Sequence, residues 1–139
     1  MPMTRRFFAS CALCAVAGFA ATAADAQTPA PAGFNRKILQ QTDGPDEGQV
    51  TVLVEVEIQP GAFIGWHTHP GIESGYMAAG GFELMMKGQP NRLVKAGEGF
   101  QVPPTTPHAA QNGSTLSKVA ATYIIKKGEP LASPVSPPV

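Results

Sequence analysis

Cysteine is nearly missing from this chain. Among its 139 residues there are two, Cys11 and Cys14, and both lie in an apolar N-terminal stretch. Beyond that stretch no disulfide can form, although small exported domains often depend on them. Such a domain must hold together by core packing or by a metal. Cys11 is also a poor site for a lipid anchor, because Phe8-Ala9-Ser10 before it is a weak lipobox. Charge is sparse at 14% of residues and forms no block of one sign. This argues against nucleic acid as a partner, which needs a basic surface to neutralise phosphates. It argues equally against a polybasic membrane patch. No window carries a sustained helical period. Histidine is rare as well, with only His67, His69 and His108.

The N-terminus reads as an address. Arg5 and Arg6 form a positive start, an Ala-rich apolar run follows to Ala24, and Ala24-Asp25-Ala26 is a small-x-small cleavage site. Residues 1–26 are therefore expected to be a removed signal peptide, with Gln27 as the first mature residue. Thr4-Arg5-Arg6-Phe7-Phe8 partly matches a twin-arginine signal, so folded export and the general secretory route both stay open. The expected location is periplasmic or secreted, with no stable membrane anchor in the mature chain.

Removing residues 1–26 leaves 113 residues, enough for one domain with one core. Arg5, Arg6 and Asp25 go with the signal, leaving 8 Lys plus Arg against 9 Asp plus Glu. Residues 27–45 read as a linker and N-terminal arm, 46–128 as the folded barrel, and 129–139 as a Pro-rich tail. The tail has four prolines and cannot sustain a helix or a central strand.

Between the two ends, glycine and proline punctuate short runs rich in Val, Ile, Phe and Tyr. That pattern predicts an all-β sandwich or barrel. Gln49 to Ile58 alternates strictly, with Val50, Val52, Val54, Val56 and Ile58 on one face. Further strands are expected at Phe63–His69, Glu73–Ala79, Phe82–Lys87, Arg92–Lys95, Phe100–Val102, His108–Asn112 and Lys118–Lys126. Gly80-Gly81 reads as a hairpin turn. On the last strand Val119, Ala121, Tyr123 and Ile125 share a face.

His67 and His69 sit one residue apart on a predicted strand, so both imidazoles project to one side. Phe63 has the same parity, and Glu73 follows after a Pro-Gly turn. Imidazole plus carboxylate suits a first-row divalent metal. The spacing Gly61, His67, His69, Glu73, Gly80, followed by Gly97, Pro103, His108, Asn112, resembles the two sequence motifs of the cupin superfamily. One position departs: Thr105 stands where the second motif has glycine, so the loop before His108 is expected to run differently.

The resemblance implies a double-stranded β-helix, or jelly-roll barrel, with one metal in its mouth. It implies His67, His69, Glu73 and His108 as ligands. Mn and Fe come first as the metal, while Co, Ni, Cu and Zn also suit nitrogen and oxygen donors. Apolar Phe82, Leu84, Met86, Phe100 and Val102, with Met77 beside Glu73, are candidates for lining a pocket or for plain core. Gln101 and Gln111 either line the pocket or face solvent. Trp66 and Tyr76 are expected outside, where they cover the sheet or join a homodimer.

Open metal positions and an apolar lining make a non-haem metal enzyme acting on a small organic molecule, of dioxygenase type, the leading functional expectation. Glu73 is the sole candidate catalytic side chain. A non-catalytic periplasmic binder of metal or small ligand is the second reading. A metal-dependent isomerase or lyase is the third, since few additional acid or base groups are evident in the sequence. Fold alone cannot choose among them.

Overall fold

A computed structural model describes residues 33–139. The expected signal peptide, its cleavage site and Gln27 lie outside the described residues. Those described form ten strands and no helix, so none is long and apolar enough to cross a membrane. They are β1 Phe34–Asp43, β2 Gln49–Ile58, β3 Phe63–Thr68, β4 Ile72–Ala79, β5 Gly81–Met86, β6 Arg92–Lys95, β7 Gly99–Val102, β8 His108–Asn112, β9 Ser117–Lys126 and β10 Ser133–Pro134. Two five-stranded antiparallel sheets face each other, ordered β1-β2-β9-β4-β7 and β10-β3-β8-β5-β6. The expected double-stranded β-helix is observed.

Alternation explains the core. On β2 the valines and Ile58 turn inward and are buried, as are Val119, Ala121, Tyr123 and Ile125 on β9. β2 and β9 pair over ten residues from Gln49↔Lys126 to Ile58↔Ser117. Their two inward faces form one contiguous wall of the core. Phe82, Leu84 and Met86 on β5, with Val94 on β6, oppose it from the second sheet.

Four expectations need correcting. The stretch read as linker and arm contains β1, which pairs with β2 along its length. β1 is an edge strand held by backbone hydrogen bonds and exposed over most residues, so it has no apolar alternation to find. Gly80-Gly81 is not a hairpin, because β4 and β5 belong to different sheets. Gly80 carries the chain across at φ 75°, packed so closely on Ser117 and Leu116 that a Cβ has no room.

The other two concern parity and the loop before His108. Phe63 does not share the histidine face. β3 holds one extra residue between Ile64↔Ala110 and His67↔His108, and this bulge resets the parity. Ile64 therefore points inward, and Phe63 is 46% exposed. Thr105 does not reroute its loop either. It takes the left-handed backbone at φ 57° that the motif glycine would take, and its N–H donates to the His69 carbonyl at 2.8 Å.

Asn112, the last residue of the second motif, ties both sheets together. Its buried amide donates to the carbonyls of Ile58, Gln59 and Thr115, and its oxygen accepts from Ser117 Oγ at 2.6 Å. Replacing Asn112 with Ala would remove the side-chain donor from the Ile58, Gln59 and Thr115 carbonyls and the acceptor that Ser117 Oγ meets at 2.6 Å. Such a loss costs about 3 kcal/mol, and a fall of that size is expected in urea unfolding of Asn112→Ala against wild type.

Candidate metal centre

His67 and His108 come from one sheet, Glu73 from the other, and His69 from the link between β3 and β4, beyond the end of the strand expected to carry it. β3 supplies His67, the Thr68-to-Pro70 link beyond it supplies His69, and β8 supplies His108 from the paired position opposite His67. Glu73 lies on β4, pairing with Tyr123 of β9 and Val102 of β7. His69, His108 and Glu73 are buried at 1%, 3% and 6% exposure, while His67 is half-buried. One candidate ligand atom from each histidine lies within 4.8 Å of the others. The three histidines are thus brought together, and Glu73 lies beside His69 and His108.

The hydrogen bonds settle which ring nitrogens carry protons. His67 Nδ1 lies 2.7 Å from the Gly65 carbonyl, His69 Nδ1 2.6 Å from the Leu131 carbonyl, and His108 Nδ1 2.9 Å from the Thr106 carbonyl. A carbonyl oxygen only accepts, so each Nδ1 must donate. In a neutral imidazole this leaves a lone pair on Nε2. His69 Nε2 is buried and without a hydrogen-bond partner, although Glu73 Oε2 approaches it at 3.1 Å. His108 Nε2 stands 3.4 Å from the same oxygen. Nε2 lone pairs of His69 and His108 therefore face a carboxylate, and the His67 ring lies 4.1 Å from that of His108. A single proton could reconcile only one such pair, whereas a divalent cation satisfies the whole set. The three histidines could hold a metal ion, and the donor set fits one.

Tyr123 is the residue that sequence reasoning undervalued. Its hydroxyl donates to Glu73 Oε1 at 2.7 Å, leaving Oε2 toward the imidazoles. A phenol on an otherwise aliphatic inward face was the available signal, because a buried tyrosine hydroxyl needs a partner. Burial and then the Glu73 charge push the Tyr123 pKa well above its ordinary value. Burial would raise Glu73, but hydrogen bonds from His108 and His69, which those rings donate when protonated, and from Tyr123 outweigh it and hold the carboxyl well below the usual range. Burial, reinforced by the neighbouring His108, lowers His67 to about 4.

The centre forms one wall of a small cleft between the sheets, about 50 Å³ in volume. Ile64, Phe82, Leu84 and Phe100 line it as apolar groups, and Arg36 of β1 joins them. Arg36 was hidden from sequence reasoning inside the supposed arm. Gln101 and Gln111 are exposed and serve elsewhere: Gln101 donates to Ser74 Oγ and Gln111 to the Gly61 carbonyl. Tyr76 is outside at 53% exposure, as expected.

Two outcomes follow from this geometry. The C-terminal tail orients a ligand: β10 pairs with β3 and brings the Leu131 carbonyl to His69. Deleting residues 131–139 is expected to weaken divalent metal binding by about ten- to hundredfold in a chelator competition titration. In metal-free protein, His67 stays neutral down to about pH 4, whereas in the unfolded chain it protonates near 6.5. The unfolded state then binds more protons, so stability falls as pH drops from 6.5 toward 4. Urea unfolding of metal-free protein should show that decline, and His67→Gln should flatten it.

A family model described as "Cupin domain" matches residues 54–126. No curated protein matches the chain. Among solved structures, the DMSP lyase DddQ from Ruegeria pomeroyi DSS-3 superposes with a TM-score of 0.62 at 20% identity, covering 74% of this chain and 52% of that one. The chain thus spans about half the length of that lyase. KdgF from Halomonas sp. gives a TM-score of 0.57 at 27% identity, over 72% of this chain and 87% of that one. An uncharacterized conserved protein with a double-stranded beta-helix domain, from Klebsiella pneumoniae subsp. pneumoniae MGH 78578, gives 0.61 at 18% identity, over 79% and 90%. The motif spacing, the two-sheet barrel and the family match agree, and this chain belongs to the cupin family.

Proposed function

We propose that this chain is an exported, metal-dependent cupin enzyme acting on a small organic molecule, with His67, His69, Glu73 and His108 as the metal ligands. The observation that carries the reading is a cluster of three imidazoles, two of which turn Nε2 to the Glu73 carboxylate, at the wall of a cleft. A metal held there supplies Lewis-acid activation and open coordination positions. Mn or Fe suits the mixed donor set best. Export is supported by Arg5-Arg6 and by Ala24-Asp25-Ala26.

Of the reaction classes, lyase or isomerase chemistry has gained most support from the structure. The objection to it was a lack of additional polar groups, and the cleft contains two: Tyr123 and Arg36. Tyr123 holds its proton against Glu73 and keeps that carboxylate in one orientation. The apolar walls exclude water from whatever binds between them. A DMSP lyase shares the fold, which shows that this barrel accommodates lyase chemistry but not that this chain performs it. The oxygenase reading keeps one supporting feature, the apolar lining of Phe82, Leu84 and Phe100. Exposed Ile38 and Leu39 on edge strand β1 support pairing of two copies.

Elemental analysis of the protein from its native host, with His69→Ala as control, tests the reading. One transition metal per chain is expected in wild type and a large loss in the variant; no metal in either removes the central claim. N-terminal sequencing of the same sample should begin at Gln27. Turnover of a small-molecule panel by the metal-loaded protein without oxygen is expected for a lyase or isomerase. Turnover that strictly consumes oxygen would restore the oxygenase reading. In the anaerobic assay Tyr123→Phe is expected to lower kcat by about a hundredfold, with metal content retained.

A further inference from the structure

Arg36 enters the cleft from the edge of the molecule. It pairs directly opposite Val56 across β1 and β2, and Val56 belongs to the buried core. Residues directly opposite in an antiparallel pair share a face, so the Arg36 side chain takes the inward side. There it lines the same cleft as His67, Glu73, His108 and Tyr123. The Phe34 ring lies against it, with the guanidinium carbon 5.9 Å from the ring centroid.

Arg36 is half-buried, and a buried polar nitrogen ordinarily has an accepting partner. Among the described residues Arg36 forms no ion pair, and its Nε is buried without a hydrogen-bond partner. The acid of the cleft, Glu73, is already engaged by Tyr123 and approached by two imidazoles. With Glu73 engaged elsewhere, the Arg36 guanidinium is an unpaired positive charge at its end of the cleft. This favours an anionic occupant and repels an amine.

We propose that Arg36 is the anion-recognition residue of this cleft and that its ligand is a small organic carboxylate. Nε–H and the adjacent Nη–H form a parallel pair of donors that matches two carboxylate oxygens. The apolar body of the ligand then packs on Phe82, Leu84 and Phe100. The proposal rests on the metal-centre reading only for the role of the ligand's other end. A competing explanation is that an inward charge on edge strand β1 guards against strand addition. That role would act on self-association and not on ligand binding.

Butyrate and its neutral counterpart butyramide, titrated calorimetrically into the protein as isolated, separate these cases. Wild type is expected to bind butyrate about tenfold more tightly than butyramide or better. Arg36→Gln should lose about tenfold or more of the butyrate affinity and leave butyramide unchanged. Arg36→Lys should fall between, since it keeps the charge and loses the paired donors. Unfolding midpoints and metal content of both variants should match wild type. Equal butyrate affinity in wild type and Arg36→Gln overturns the proposal. So does equal affinity for the two probes, or an absence of butyrate binding. Self-association of Arg36→Gln with butyrate affinity intact would assign Arg36 to edge protection instead. A protein without metal would defeat the metal-centre reading alone, because the contrast between butyrate and butyramide is then measured on the metal-free protein.

Discussion

Each of the three imidazoles is held at Nδ1 by a backbone carbonyl, and the candidate site depends on that constraint. The acceptors come from three places: Gly65 inside β3, Thr106 in the loop before β8, and Leu131 in the C-terminal tail. Because a carbonyl cannot donate, each contact fixes both the tautomer and the plane of its ring. The free lone pairs of His69 and His108 then face Glu73, with the His67 ring beside them. Without a cation this arrangement is electrostatically unfavourable, and with one it becomes a cross-link between distant segments of chain. Even the tail contributes, through a carbonyl and not through a side chain.

The barrel divides the labour between its sheets. One sheet presents His67 and His108, and the link that leaves it presents His69. The other presents Glu73 on β4, Tyr123 on β9 and Arg36 on β1, three side chains with different charge and proton chemistry. The gap between sheets is thereby lined with donors on one side and with an acid, a phenol and a guanidinium on the other. Asn112 and the crossing at Gly80 keep the two sheets in register across this gap. A substitution that loosens either would move one half of the site relative to the other.

Much of this was legible. The alternation of β2 and β9 named the inward valines and Tyr123, because half-buried strands repeat every two residues. The spacing singled out His67, His69 and His108, which the fold clusters as a group able to hold a metal, and Glu73, which lies beside two of them. Three things were not legible, each for a physical reason. The bulge at Gly65-Trp66 reverses the parity of Phe63 and Ile64, and a single extra residue leaves no mark in composition. Strand β1 is stabilised by backbone pairing at an edge, so it lacks the apolar period that identifies buried strands. Thr105 adopts a glycine-like backbone because its N–H is tied to the His69 carbonyl, an override of local preference by tertiary contact.

The sequence by itself determined the all-β class, the family and the residues able to ligate a metal. Periodicity and motif spacing are local properties, written directly in the order of residues. Tertiary structure alone decided which nitrogen of each imidazole is free, that Tyr123 orients Glu73, and that Arg36 reaches the cleft. Those facts rest on contacts between strands far apart in the chain, where no spacing rule applies and only the pairing of the sheets sets who meets whom.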